Sequence, residues 1–136
     1  MQLLRLPDSD VNVVPLLNKD SLDMTDADRE LILATVKGLL TENAPIIITH
    51  GTDTLVQTGL FLKQGLPDIK IPIVLTGAMA PLGFEASDGL QNLTESLVRL
   101  LCPGIYIVMH NQVYPVGGVR KDQTLARFVS SDQKPR

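Results

Sequence analysis

The stretch Ile46-Ile47-Ile48-Thr49-His50-Gly51-Thr52-Asp53-Thr54 decides the predicted fold. A short run of β-branched residues that ends abruptly in polar residues is typical of a buried strand. Gly51 allows the backbone to turn sharply and to approach a ligand closely. The polar residues 52–54 then stand where a helix begins, near free N–H groups and the positive end of the helix dipole. In an open α/β sheet, such a corner beyond the carboxyl end of a strand is where ligands bind.

Strand and helix patterns alternate on both sides of this corner. The predicted strands are residues 11–14, 46–48, 71–75 and 105–109, with a turn at His110 and Asn111 leading into Val113 and Tyr114. Helices are predicted after the capping pair Thr25 and Asp28, after Thr54, and after Ser87 or Asp88. A last helical turn is predicted within residues 122–129, and residues 130–136 are predicted to be disordered. The alternation predicts a three-layer α/β fold, with a mostly parallel sheet and helices on both faces.

The composition limits the class of protein. The chain has 136 residues, enough for one domain with its own core, and residues 1–136 are interpreted as a single domain. The net charge is −3 and the basic residues are scattered, which argues against nucleic acid as a partner. No apolar run approaches the ~20 residues of a membrane span, and residues 1–15 lack the pattern of a signal peptide. We therefore expect a cytoplasmic protein that does not bind membranes.

The cysteine and histidine content argues against a metal site. The single cysteine, Cys102, excludes an internal disulfide and suits a reducing cytoplasm. Because it follows two leucines, we expect it to be buried as a small hydrophobic side chain. His50 and His110 are far apart in the sequence and have no cysteine nearby, so no metal site is predicted. The sequence has no G-x-G-x-x-G and no Walker motif, so no cofactor is predicted either. His110 is expected in a surface turn, and His50 in the scaffold of its loop.

Thr52 and Asp53 have two interpretations when only the residues are considered. A hydroxyl beside a carboxylate, with a lysine able to fold over both, can orient a water molecule or activate a nucleophile. Threonine and aspartate also cap helices routinely, and capping is the simpler interpretation of this pair.

Five segments, in order, resemble one family. They are Asp20-Ser21-Leu22-Asp23-Met24, His50-Gly51-Thr52-Asp53-Thr54, Leu75-Thr76-Gly77-Ala78-Met79 with Pro81, Asp88-Gly89-Leu90-Gln91-Asn92, and Val119-Arg120-Lys121. In these segments the chain resembles the bacterial-type L-asparaginases, and most closely their short single-domain members. The resemblance covers residues 11–128. It implies an asparaginase-like α/β domain that hydrolyses L-asparagine to L-aspartate and ammonia.

The resemblance also implies roles for individual residues. Thr52, Asp53 and Lys121 match a catalytic Thr-Asp-Lys group. Thr52 would position or activate the attacking water, and Asp53 would hold the α-ammonium group of the substrate by a charge-assisted hydrogen bond. Lys121 would favour the deprotonated form of Thr52. The choice of Lys121 over Arg120 depends on the register of one segment, and an arginine would serve poorly there because it stays protonated.

Three further positions match residues that contact the substrate. Ser21 matches the residue that binds the α-carboxylate, and Gly51 would let the backbone come close to the ligand. Ala78 matches a residue whose carbonyl oxygen faces the leaving amide nitrogen. Each also has a simple structural interpretation, as a turn residue or as a small residue in a tight loop. Leu22 departs from the larger family members, which often have glutamine there.

The segment that carries the family's nucleophile has no counterpart in this sequence. Family members begin with a strand and a Thr-Gly-Gly-Thr-Ile type loop, whose first threonine forms the acyl-enzyme, followed by a lid with an assisting tyrosine. The chain is therefore interpreted as N-terminally truncated relative to the family. Three hypotheses stay open. It is an asparaginase, or a piece of one, with its nucleophile in a segment not represented here; it is an inactive amino-acid-binding module or an incomplete fragment; or Thr52 itself is the nucleophile.

The predicted partners are a small molecule and further copies of the chain. The substrate would be L-asparagine, with L-glutamine and L-aspartate as alternatives. A missing first strand would leave an uncovered sheet position and apolar surface, which favours association with another chain. Together with the family resemblance, this predicts a homodimer or a higher homo-oligomer.

Overall fold

The structure is a computed structural model that describes residues 12–77, 101–110, 112–122 and 127–130. Short 3-10 turns occupy Ser21–Asp23 and Leu40–Glu42. The helices and strands are α1 (Asp26–Leu39), β1 (Ile46–Thr49), α2 (Leu55–Gly65), β2 (Pro72–Thr76), β3 (Gly104–Met109), β4 (Gln112–Pro115), β5 (Val119–Asp122) and β6 (Arg127–Ser130).

Four of the strands form one mostly parallel sheet in the order β1-β2-β3-β4. Strand β2 runs parallel to both β1 and β3, whereas β3 and β4 form an antiparallel pair joined through the turn at His110. A second sheet consists of the antiparallel pair β5 and β6. The predicted α/β fold, with a mostly parallel sheet and helices, is confirmed.

One face of the large sheet and both described helices share a hydrophobic core. The strand register places alternate residues of neighbouring strands side by side on that face: Ile46, Ile48, Ile73, Leu75, Ile105 and Ile107. Ile32 and Val36 of α1 and Leu55 and Leu62 of α2 belong to the same cluster. Burial of a side chain of this size stabilises a fold by about 1.5–3 kcal/mol. The cluster therefore fixes where the carboxyl ends of β1 and β2 meet the start of α2.

The opposite face of the sheet is apolar as well. Val74 and Val108 point to that face and are 4% and 0% exposed. Apolar residues on both faces are expected of a parallel strand in the middle of a sheet. The third helix, predicted after Ser87 or Asp88, lies outside the described residues.

Helix α1 begins at the predicted capping box. The Asp28 N–H donates to Thr25 Oγ1 at 3.3 Å, and the Thr25 N–H donates to Asp28 Oδ2 at 2.9 Å. Lys19 Nζ donates to the same carboxylate at 2.7 Å. The Lys19 hydrogen bond, and then that of Thr25, hold the pKa of Asp28 below its ordinary value.

Residues 12–18 do not form the predicted strand. No helix or strand occurs between residues 12 and 20, and Val13 and Val14 are 61% and 53% exposed. Pro15 cannot donate to a ladder. No described strand pairs with this segment, so its valine side chains have no neighbouring strand to pack against. Residue 11 lies outside the described part of the chain.

Two predictions near the carboxyl end were also wrong for the residues that the structure describes. Residues 122 and 127–129, predicted to belong to a helical turn, lie in β5 and β6, in which Lys121 pairs with Phe128. Residues 123–126 lie outside the described part of the chain. Ser130, the first residue predicted to be disordered, is the last residue of β6. Phe128 and Val129 are 3% and 5% exposed, and aromatic and β-branched residues favour a strand where such burial is available.

Cys102 is exposed and not buried as predicted. The prediction rested on the two leucines that precede Cys102, but residues 101–103 form neither a helix nor a buried strand. The carbonyl oxygen of Cys102 instead accepts a hydrogen bond from Tyr106 Oη at 3.0 Å. The contact of this stretch with β3 is therefore made by its main chain and not by the cysteine side chain.

Loss of the α1 cap should destabilise the domain measurably. We expect Thr25→Ala to lower the free energy of unfolding by about 1 kcal/mol, because the Asp28 N–H loses its acceptor. Urea denaturation measures the change. Thr35→Ala on the same helix is the control: its hydroxyl only donates back to the Leu31 carbonyl, a bond that does not favour the helix. Equal losses in both variants would contradict the capping role.

The ends of β1 and β2 approach so closely that Gly77 tolerates no side chain. The His50 N–H donates to the Thr76 carbonyl at 2.9 Å, and a Cβ on Gly77 would overlap the His50 carbonyl oxygen. Because that atom is backbone, Gly77→Ala should cost on the order of 1–3 kcal/mol in urea denaturation.

Gly38→Ala is the matched control for this substitution. Gly38 lies in α1, and a Cβ there would meet nothing within 4 Å. Alanine in a helix is favoured over glycine, so this variant should be more stable than the wild type by roughly 0.5–1 kcal/mol. A Gly77→Ala variant as stable as the wild type would show that the two strand ends do not approach as described.

Candidate active site

The loop between β1 and α2 begins as a continuation of the sheet. The His50 N–H bonds to the Thr76 carbonyl, and the chain then turns through residues 51–54 into α2. The N-cap of α2 is Thr54, and its side chain caps no N–H of that helix. Thr54 Oγ1 instead donates to the Ser21 carbonyl at 2.9 Å. Neither Thr52 nor Asp53 is the N-cap residue, so the simple capping interpretation of this pair was wrong.

Lys121 joins the second sheet to this loop. Its Nζ donates to Thr52 Oγ1 at 2.8 Å and to Asp53 Oδ1 at 2.7 Å. The Lys121 and Asp53 side chains are 13% and 34% exposed, and Thr52 is 7% exposed. Arg120 instead has its Nη1 3.8 Å from the carboxylate of Asp122. The structure therefore brings together three of the predicted site residues, with Lys121 and not Arg120 as the cation.

The direction of these hydrogen bonds determines what the group can do. A lysine ammonium only donates, so the Thr52 oxygen accepts from Lys121 and its own proton is free to be donated elsewhere. A positive charge within hydrogen-bond distance favours the deprotonated form of a hydroxyl. The Asp53 carboxylate balances the charge of Lys121. The arrangement suits proton transfer at Thr52 Oγ1 and binding of a cation at Asp53.

Ser21 lies against the same loop with a buried hydroxyl. Ser21 is 1% exposed, and its Oγ has no hydrogen-bond partner among the residues described. A Cβ on Gly51 would lie 2.8 Å from both Cβ and Oγ of Ser21, so only glycine lets the two segments approach this closely. A buried polar atom without a partner costs about 1–3 kcal/mol. A ligand with a polar group at this point would remove that cost.

His50 is held by the loop on one side and by α2 on the other. Its Nδ1 is hydrogen-bonded to the Gly51 carbonyl oxygen, and its Nε2 lies 2.8 Å from Thr58 Oγ1. Burial lowers the pKa of His50, and the positive charge of Arg29 lowers it further, although the bond to Gly51 acts in the opposite direction. The ring is therefore neutral at pH 7. These contacts agree with the expected scaffold role.

Two residues near His50 were not singled out in the sequence. Thr58 is fully buried, and Arg29 is 9% exposed and donates through Nε to Thr58 Oγ1 at 3.1 Å. One signal was available. Arg29 stands at i−3 and i−4 from Ile32 and Leu33, on the apolar stripe of α1, where a charged residue requires an explanation.

Some predicted features cannot be placed. Ala78 lies outside the described residues, as do Asp88 and Asn92. Within the described ranges, no group of three or more His, Cys, Asp or Glu residues could hold a metal ion. No helix in that part of the chain is long and apolar enough to cross a membrane.

Comparison with known proteins identifies relatives over nearly the whole chain. The family model for the N-terminal region of asparaginases matches residues 2–135. The L-asparaginase of Thermococcus kodakarensis is 37% identical over 100 residues, which cover 72% of this chain and 30% of that protein. L-asparaginase 1 of Escherichia coli K12 is 34% identical over 93 residues, covering 68% and 27%. A 60 kDa lysophospholipase of Mus musculus is 31% identical over 98 residues, covering 70% and 17%.

Solved structures agree with these relatives. The thermostable L-asparaginase of Thermococcus kodakarensis aligns with a TM-score of 0.85 and 30% identity, over 98% of this chain and 42% of that chain. The probable cytoplasmic L-asparaginase of Campylobacter jejuni aligns with a TM-score of 0.78 and 28% identity, over 90% and 41%. The chain thus spans less than half the length of each of these relatives. On the match of the family model to almost all of its residues, the chain belongs to the asparaginase family.

Proposed function

We propose that this chain carries the Thr-Asp-Lys group of an amidohydrolase that converts L-asparagine to L-aspartate and ammonia. The observation that supports the proposal is the pair of hydrogen bonds from Lys121 Nζ to Thr52 Oγ1 and Asp53 Oδ1. The relatives named L-asparaginase support the choice of substrate. No group in the proposed reaction requires a cofactor.

The amino-acid head of the substrate would bind between Asp53 and Ser21. Asp53 is the most exposed of the three joined residues, and its negatively charged carboxylate is suited to the α-ammonium group. The buried Ser21 hydroxyl would donate to the α-carboxylate and so gain the partner that it lacks. Because Ser21 touches the loop at Gly51, both charged groups of one zwitterion would be held at one corner of the fold.

Thr52 would act on the side-chain amide. The Lys121 ammonium donates to Thr52 Oγ1 and favours its deprotonated form. In that form the oxygen would accept a proton from an attacking water and then give this proton to the leaving ammonia, which returns Thr52 to its deprotonated form. In the alternative, Thr52 Oγ1 itself attacks the amide carbon and water releases the product. The 136 residues contain no Thr-Gly-Gly-Thr segment, so an acyl-enzyme on such a threonine would require residues outside them.

A second candidate function is binding of an amino acid without turnover. The positions of Asp53 and Ser21 beside one loop support it, because these residues could hold the head group whether or not a nucleophile is present. The cytoplasmic location and the homo-oligomer stay part of the proposal. A relative named as a probable cytoplasmic L-asparaginase supports the location.

The first test is ammonia release from millimolar L-asparagine by the purified chain. If the chain is an enzyme, Thr52→Ala and Lys121→Met should each lower the rate by ~10⁴-fold or more, as loss of a member of a catalytic group does. Arg120→Met is the matched control, since it removes the neighbouring cation, which lies near Asp122, and should retain the rate within a few-fold. Equal rates for the wild type and Thr52→Ala would overturn the proposed mechanism.

The second test is the rise in melting temperature with L-asparagine, which detects binding without turnover. We expect Ser21→Ala to reduce this rise, because the hydroxyl that would meet the α-carboxylate is lost. Asp23→Asn, an exposed change in the same turn, should retain it. A rise without ammonia supports the binding module, and the absence of both contradicts both candidate functions for this chain.

A further inference from the structure

A chain of hydrogen bonds crosses the core from α1 to the loop that carries Thr52. Arg29 Nε donates to Thr58 Oγ1 at 3.1 Å, and Thr58 Oγ1 lies 2.8 Å from His50 Nε2. The other nitrogen of the same ring, Nδ1, is hydrogen-bonded to the carbonyl oxygen of Gly51. The four groups come from α1, α2 and the loop, so this chain of hydrogen bonds connects elements that are separate in the sequence.

The groups at the two ends determine the direction of every bond between them. A guanidinium can only donate, and a carbonyl oxygen can only accept. Thr58 therefore accepts from Arg29 and uses its own proton toward His50 Nε2. A neutral imidazole has one donor and one acceptor nitrogen, so Nδ1 carries the proton and donates to Gly51. For a neutral ring, each bond has a donor and an acceptor only with this single arrangement of protons.

The surroundings of the ring favour its neutral form. Burial lowers the pKa of His50, and Arg29 on α1 lowers it as well. Asp26 does little to offset the effect of the Arg29 charge on His50, because the Asp26 carboxylate is 92% exposed and lies 3.7 Å from Arg29 Nη1. From α2 the ring meets the uncharged hydroxyl of Thr58. A protonated ring would place two donors, from His50 and Arg29, on one hydroxyl oxygen.

We propose that Arg29 and Thr58 are positioning residues that hold His50 as the Nδ1–H tautomer and thereby orient the Gly51–Thr52 peptide. This peptide is trans, so its carbonyl and N–H groups point in opposite directions. With the Gly51 carbonyl bonded to the ring, the Thr52 N–H points away from it, and the Thr52 side chain is directed to Lys121. The importance of this orientation for catalysis rests on the proposed function.

A packing role alone does not explain Arg29. The neighbouring stripe on α1 consists of Ile32, Leu33 and Val36, all buried, and an aliphatic side chain would fill the same space. Burial of a guanidinium is costly unless its charge and its N–H groups are compensated. Its bond to the buried Thr58 hydroxyl and its pairing with the exposed carboxylate of Asp26 distinguish it from an aliphatic residue, and only the bond to Thr58 lies in the core.

Side-chain NMR of the histidines tests the proposal without substrate. The chain has two histidines, so His110→Gln assigns the two imidazole signals. We expect His50 to be unprotonated at Nε2 and protonated at Nδ1 at pH 7. The Gly51 and Thr52 amide resonances should titrate with the His50 midpoint, which should lie below the ordinary value of 6.5. A ring protonated at Nε2 would overturn the proposal.

Substitution of Arg29 tests the end of the hydrogen-bond chain that lies on α1. Arg29→Met removes the charge and the donor, so the His50 midpoint should rise toward 6.5 and the Thr52 amide shift should change at pH 7. Lys37→Met removes an exposed charge from the same helix and should change neither. Thr58→Val should perturb the Thr52 amide, and Thr58→Ser should restore it. An unchanged Thr52 amide in both Arg29→Met and Thr58→Val would overturn the positioning role.

Kinetics separate this proposal from the proposed function. If the wild-type chain releases ammonia, Arg29→Met should lower kcat by roughly 10- to 100-fold with little change in KM, since small misplacements of reacting groups have effects of this size. An unchanged kcat would show that the orientation does not matter for catalysis and would overturn that part of the inference. If the wild type releases no ammonia, hydrolysis by this chain is contradicted, and the NMR results alone decide the positioning role.

Discussion

The partly buried ammonium of Lys121 is the group on which the arrangement of the site depends. A charge that is 13% exposed requires partners in place of water. Its described partners, Thr52 and Asp53, both come from the loop after β1, whereas the lysine comes from the small sheet. Hydrophobic contacts of Val119 and Phe128 with the core hold that small sheet in place. The ion pair between Lys121 and Asp53 and the contacts with the hydrophobic core therefore hold β5 in the same position.

Close backbone contacts at glycines make this geometry possible. Gly51 lies against Ser21, and Gly77 lies against the His50 carbonyl. In α2, a Cβ on Gly59 would meet the Val116 side chain at 2.9 Å, so the helix also packs tightly on the corner after β4. At these three positions the absence of a side chain sets the distance between segments. The site is therefore assembled as much by contacts of the main chain as by the polar side chains within it.

The sequence predicted those features that depend on neighbours in the chain. The Thr25 and Asp28 capping box and the strand at residues 46–49 follow from local patterns, because each is decided within one turn or one strand. The pairing of β5 with β6 is a tertiary contact, so a local reading of residues 122–129 favoured a helix. The exposure of Val13 was missed for a related reason: hydrophobic composition predicts burial only where a partner surface exists.

The candidate site shows the same division between local and distant contacts. Thr52 and Lys121 are 69 positions apart, and no periodicity connects them; only the family resemblance placed them together. The resemblance did not include Arg29 and Thr58. Helical periodicity shows which positions face the core, but it does not show what a charged residue at such a position will bind. For Arg29 of α1 the partner is Thr58, which belongs to α2.

The hydroxyl of Ser21 has a consequence for how this protein can change. Its burial without a described partner lowers the stability of the unliganded fold, while the same atom would strengthen binding of a carboxylate. Stability and affinity are therefore opposed at this position. On the proposed function, substitutions of Ser21 that make the unliganded domain more stable would also weaken the binding of its ligand.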